Sequence, residues 1–107
     1  MSNEALDFNA VAINDNTADS QFEAHVGPYV GVIQYERLGD MIVFTHTETP
    51  EELEGHGVAS KLAQAALDDA RAQGLRVAPL CPFVASYIKR HPEYGDLVPA
   101  EYQSRIS

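Results

Sequence analysis

Three features of this sequence could do chemistry: a glycine-flanked loop, a histidine with a carboxylate two places on, and a single thiol. The loop is Gly55-His56-Gly57-Val58-Ala59-Ser60, a stretch with little side-chain bulk just ahead of a helical pattern. Such a stretch brings backbone N–H groups close to an anion, and the positive end of the helix dipole adds to the attraction. The same pattern also serves tight packing. It lacks the Gly-Lys-Ser/Thr of a P-loop, and it lacks the preceding strand and the later acid of a dinucleotide fingerprint. His46 exchanges a proton near neutral pH and could act as a base, or it could order a strand end through hydrogen bonds. Glu48 could hold a basic acceptor or cap the connection that follows. Cys81 stands just before a helix start, where a thiolate is favoured, although a lone cysteine is also a small buried hydrophobe. His46, His56, Cys81 and His91 show no paired ligand spacing, so no metal is expected.

The elements that must position these groups follow from periodicity and turn formers. Residues 1–9 are polar and acidic and predict a loose start. Val11–Asn16 reads as a first strand closed by turn residues, and Ser20–Val26 alternates polar with apolar as a half-buried strand does. Gly27-Pro28 turns the chain into a third strand, Tyr29–Leu38. Gly39-Asp40 turns it again into a fourth, Met41–Thr47, which is apolar on both faces and therefore central. Successive hairpins of this kind make an antiparallel meander. An acidic connection leads to a helix whose apolar positions, Ala59, Leu62, Ala63, Ala66, Leu67 and Ala70, recur at helical spacing, with Gly74 as its C-terminal cap. Leu75–Cys81 returns as a strand, and Pro82 opens a second helix that carries Phe83, Val84, Tyr87 and Ile88 inward and stops before Pro92. Leu97-Val98 is expected to add a short pairing in the tail.

Four strands, helix, strand, helix is an α+β order. A right-handed crossover places strands four and five in parallel, giving a mixed sheet. Pro79 has no N–H to give a ladder, so strand five must stand partly free of a neighbour there. With 107 residues the chain is read as one domain, 1–107. One cysteine and an N-terminus without basic and apolar regions point to the cytoplasm, and no apolar run is long enough for a bilayer, so no membrane partner is expected. The net charge is −9. Its distribution is uneven: eleven acids and one base, Arg37, up to Glu54, then five acids and six bases. That balance argues against nucleic acid, draws a basic acceptor to the first half, and leaves the second half tolerant of a polyanion.

The order of elements and several motifs resemble the GNAT superfamily of N-acetyltransferases. Its pyrophosphate motif, Gln/Arg-x-x-Gly-x-Gly/Ala, falls on Glu52–Gly57, with the glycines in place and Glu52 at the first position. His46-Thr47-Glu48, Glu54–Leu62, Pro79-Leu80-Cys81 and Tyr87–Tyr94 are similar to the small, roughly hundred-residue GNAT-like subfamily. The resemblance implies acetyl-CoA as co-substrate, held by Phe44, Thr45, Glu54, Gly55, His56, Gly57, Val58, Ala59 and Ser60, with its pantetheine arm between strands four and five. It implies transfer of an acetyl group to an amine, with His46 as base and Cys81 beside the thioester, where many relatives carry asparagine. The family's general-acid tyrosine slot falls on Ile88, one place after Tyr87. Only Thr17-Ala18-Asp19 separates the first two strands, where larger relatives insert helices. The acceptor face is therefore expected to be open and suited to a macromolecule. A non-catalytic acyl-CoA-binding or sensing module is the alternative.

Overall fold

A computed structural model describes residues 6–107. The first four strands, β1 (Ala12–Asn16), β2 (Gln21–Val26), β3 (Tyr29–Leu38) and β4 (Met41–Glu48), form the expected antiparallel meander. A 3-10 turn at Glu51–Leu53 leads to α1 (Val58–Ala72). β5 (Arg76–Pro79) then pairs in parallel with β4, and α2 (Pro82–Arg90) follows. Strand order in the sheet is the order in the chain, so β1 and β5 are its two edges. The fold is therefore the mixed α+β arrangement that the periodicity predicts.

α1 lies over one face of the sheet and buries Val58, Leu62, Ala63, Ala66, Leu67 and Ala70. These join Phe22, Ala24, Ile33, Ile42, Phe44 and Val77 from the sheet, and Val84, Tyr87 and Ile88 from α2, in one core. Each fully buried Leu, Ile or Phe stabilises the fold by roughly 1.5–3 kcal/mol. Alanines at three of the six buried positions, Ala63, Ala66 and Ala70, let α1 approach the strands closely. The opposite face sets Gln21, Glu23, His25 and Gln34 beside the half-buried Val30 and Val32. There Glu23 accepts hydrogen bonds from Asn16 and Gln21, which draw its carboxyl down to about 2.

Three expectations change. Leu97 and Val98 are buried but make no ladder: after α2 the chain runs through two 3-10 helices, Pro92–Leu97 and Ala100–Arg105, each opened by a proline or by the residue after one. β5 ends at Pro79 rather than Cys81, because the Leu80 amide turns back onto the Ala78 carbonyl (3.1 Å). The start of the chain is not loose from Leu6 onward. Leu6, Phe8 and Val11 pack against the core, while residues 1–5 lie outside the described residues.

Candidate functional site

Two irregularities in neighbouring strands create the site. In the β3–β4 ladder Gln34 pairs with His46, and Tyr35 pairs with Phe44, so Thr45 is an extra residue and β4 bulges there. A one-residue bulge reverses which face the following side chains take. Ile42 and Phe44 point into the core. Thr47, opposite the fully buried Ile33, points inward after the bulge, whereas Thr45 and His46 both lie exposed on the outer face. Without the bulge, His46 would share the core side with Phe44.

The second irregularity lies in β5. The Arg76 amide donates to the Asp40 carbonyl (2.8 Å), so strand alternation turns the Pro79 nitrogen toward the free edge of the sheet, where no N–H is needed. The chain then turns at Leu80, and the Cys81 amide makes the last link to β4, on the Phe44 carbonyl at 2.8 Å. Phe44–Pro79 is the final register pair. From Thr45 onward β4 has lost its partner, and the two strands part.

A cavity of about 410 Å³ opens beside the freed end of β4 and runs to the start of α1, lined by Thr47, Thr49, Leu53, Glu54, Gly55, Gly57, Val58, Ala59, Ser60 and Phe83. Gly57, at φ 76°, is the N-cap residue of α1, and no side chain caps the helix. The first amide to bond back is that of Lys61, on the Gly57 carbonyl at 3.0 Å, so the amides of Val58, Ala59 and Ser60 precede the helical ladder. No acid lies in the first turn of α1. Gly55 (φ 82°) and Gly57 both hold conformations that glycine tolerates best, and a Cβ at either would meet no atom within 4 Å. The loop thus offers N–H donors, a helix dipole and open space, a fit for a phosphate group. Among the described residues no group of His, Cys, Asp and Glu is arranged to hold a metal.

The structure gathers six of the residues read from the sequence around this cavity: Glu54, Gly55, Gly57, Val58, Ala59 and Ser60. It does not bring Phe44 there. That side chain is fully buried in the core, and its carbonyl is taken by Cys81. Thr45 faces outward, with its hydroxyl donating to the Gln34 carbonyl at 3.3 Å. The ring of His56 turns from the cavity and stacks on Phe8, centroids 3.8 Å apart and planes within 9°. Cys81 is buried at the inner end of the parting, its Sγ 3.1 Å from Thr47 Oγ1. His46, 57% exposed, has its Nε2 3.5 Å from Glu48 Oε1.

Thr47, Thr49, Leu53 and Phe83 line the cavity but were not read as site residues. Phe83 carried a signal, since it follows the proline that opens α2. Tyr87 is buried, its ring stacked on His91 at 4.1 Å, and burial pushes its phenol above the ordinary tyrosine range. Neither it nor Ile88 lines the cavity.

Known proteins place this geometry. Over 62 residues the chain is 39% identical to Protein NATD1 of Gallus gallus and of Homo sapiens. That stretch is 57% of this chain and 56% and 55% of those proteins. Protein NATD1 of Danio rerio is 35% identical over 66 residues, 59% of this chain and 60% of that protein. The alignment thus spans a little over half the length of these curated relatives. A family described as GCN5-related N-acetyl-transferase matches residues 21–97, which hold β2 to β5, both helices and the cavity. The chain belongs to the GCN5-related N-acetyl-transferase family.

Proposed function

We propose that this protein binds acetyl-CoA in the parting between β4 and β5 and transfers the acetyl group directly to an amine. The observation that carries this reading is one continuous cavity, joining the uncapped amides of α1 to the gap beside Thr47 and Cys81. The amides of Val58, Ala59 and Ser60 would hold the pyrophosphate, while Leu53 and Phe83 give an apolar wall for the pantetheine arm. The thioester supplies the activated acetyl group.

Strand geometry supports a donor for the thioester carbonyl. The Tyr35 amide donates to Ser20 at 3.0 Å, so the amide of Ile33, two residues back, also turns toward β2. Thr47, opposite Ile33, therefore directs its own N–H away from β3 and into the gap. A fixed backbone donor at this point would stabilise charge as it develops on the carbonyl oxygen. His46 would take the proton from the incoming ammonium on the outer face, and Cys81 would lie beside the sulfur. The free amine forms the new C–N bond as the C–S bond breaks, and CoA leaves as the thiol.

Calorimetry should give saturable CoA binding, and labelled acetyl-CoA should pass label to members of an amine panel. His46→Gln should lower kcat by about 10²-fold while leaving acetyl-CoA affinity unchanged. No saturable CoA binding sinks the reading outright. One observation favours a second reading, a non-catalytic acyl-CoA-binding module: the only tyrosine near the general-acid slot, Tyr87, is buried away from the cavity. Tight CoA binding with no acceptor turned over would select it.

A further inference from the structure

We infer that the segment before β1 is part of the phosphate site, with Phe8 as the positioning residue that holds the glycine loop through His56. The inference rests on the reading that the loop binds the phosphates of CoA. Phe8 lies outside the family-matched stretch, so it is a feature of this chain rather than of the family core.

The loop needs such a hold. His56 stands between two glycines, both at positive φ and both without neighbours where a side chain would start. From Glu54 to Gly57 every residue is exposed, and the buried anchors Leu53 and Val58 lie only at the two ends. A Gly-His-Gly stretch of this kind samples many backbone states, and ordering it on ligand binding costs affinity.

Two contacts from Phe8 grip it. The ring lies parallel on the His56 imidazole at 3.8 Å, and the carbonyl accepts a hydrogen bond from Lys61 Nζ at 2.9 Å, in the first turn of α1. The strap is anchored at its other end. Leu6 sits over the β2–β3 turn so closely that a Cβ on Gly27 would fall 2.9 Å from its Cδ2. The segment therefore ties one end of the meander to the start of α1, across the loop that precedes the amides of Val58–Ser60. It also fixes the ammonium of Lys61 beside that loop.

In the full chain, Phe8→Ala should raise the Kd for CoA about three- to tenfold, with the melting temperature within a few degrees of wild type, and Phe8→Tyr should restore wild-type affinity. His56→Ala removes the exposed partner of the same stack and should give the same rise, which keeps the test sound if Phe8→Ala folds poorly. The chain has no tryptophan, so Phe8→Trp places a sole indole on His56, and its emission should change saturably as CoA is added. Wild-type protein that binds no CoA overturns both this inference and the reading beneath it. Wild-type binding with unchanged affinity in Phe8→Ala or His56→Ala overturns the strap alone, as does a loss that Phe8→Tyr leaves in place.

Discussion

The two helices begin in opposite circumstances. Neither has a capping side chain. At α1 the N-cap is a glycine in the left-handed region, the donors of the first turn open onto a cavity, and the preceding loop is exposed. At α2 the N-cap is the buried Cys81, its amide is spent on Phe44, and Pro82 removes one of the donors that would otherwise be left over. The two starts flank the same parting of β4 and β5. One leaves its donors open to the cavity, and the other closes the wall next to it. A helix N-terminus is thus an anion site only where its surroundings leave its donors free.

The sharpest way to break this contrast is at Gly57. Gly57→Glu should abolish CoA binding, raising Kd more than 100-fold by calorimetry, because it adds charge and bulk where phosphate must approach. Gly57→Ala pays the same left-handed strain, of roughly 1–2 kcal/mol, without the charge, and should keep most of the affinity. Equal losses in the two variants would mean that loop conformation alone accounts for binding. Next comes the start of α2. Cys81→Ser should leave CoA affinity within about twofold, since no free donor there reaches the phosphates. A loss like that of Gly57→Glu would erase the distinction between the two starts.

The smallest effect concerns what holds the two helices in place. Tyr94, just beyond α2, donates to Asp68 of α1 at 2.7 Å, and that bond raises its phenol to about 12. Arg71 of α1 pairs with Asp96 at 2.9 Å, and the guanidinium draws the Asp96 carboxyl down. Tyr94→Phe should cost about 1 kcal/mol, a drop of roughly 4–8 °C in Tm for a domain of this size. A raised phenol contributes stability that is complete below its unfolded value of 10 and is lost as pH rises toward about 12. Wild type should therefore lose more stability than Tyr94→Phe across that window. The loss that remains in the variant comes from Tyr35, which burial and Asp15 push up to about 12, and from Tyr87, which burial also raises. Identical alkaline profiles would show that the Tyr94–Asp68 bond carries no weight.

The sequence was most legible where local chemistry decides structure. Turn glycines placed both bounds of β3, proline at N1 placed the start of α2, and alanine spacing placed the buried face of α1. The glycine loop stood out because of its context, a meander before it and an alanine-rich helix after it, since a glycine pair before a helix also serves tight packing. The bulge at Thr45 was not, because Phe44-Thr45-His46-Thr47 are all acceptable strand residues and the extra one is chosen by pairing with β3. That one displacement decides that Thr47, not Thr45, lines the cavity. The tail misled in a similar way. Leu97 and Val98 are apolar enough for a strand, yet they bury themselves within and beside 3-10 turns set by Pro92 and Pro99. Phe8 showed no periodicity, and its partner His56 is distant in sequence.

The shortness of the β4–β5 ladder has a consequence for how the molecule assembles. The meander is joined by tight turns, so its contacts form between near neighbours in the chain and close early. The four register pairs of β4 with β5 bridge the whole length of α1 and cannot form until that helix has docked. The β4–β5 ladder should therefore be the last part of the sheet to form and the first to open. Hydrogen exchange should show the amides of Arg76, Ala78 and Cys81 exchanging sooner than those of β2 and β3, and the reverse order would refute this sequence of events. A bound ligand spanning the parting would act as a clasp, slowing exchange most in the strand that closes last.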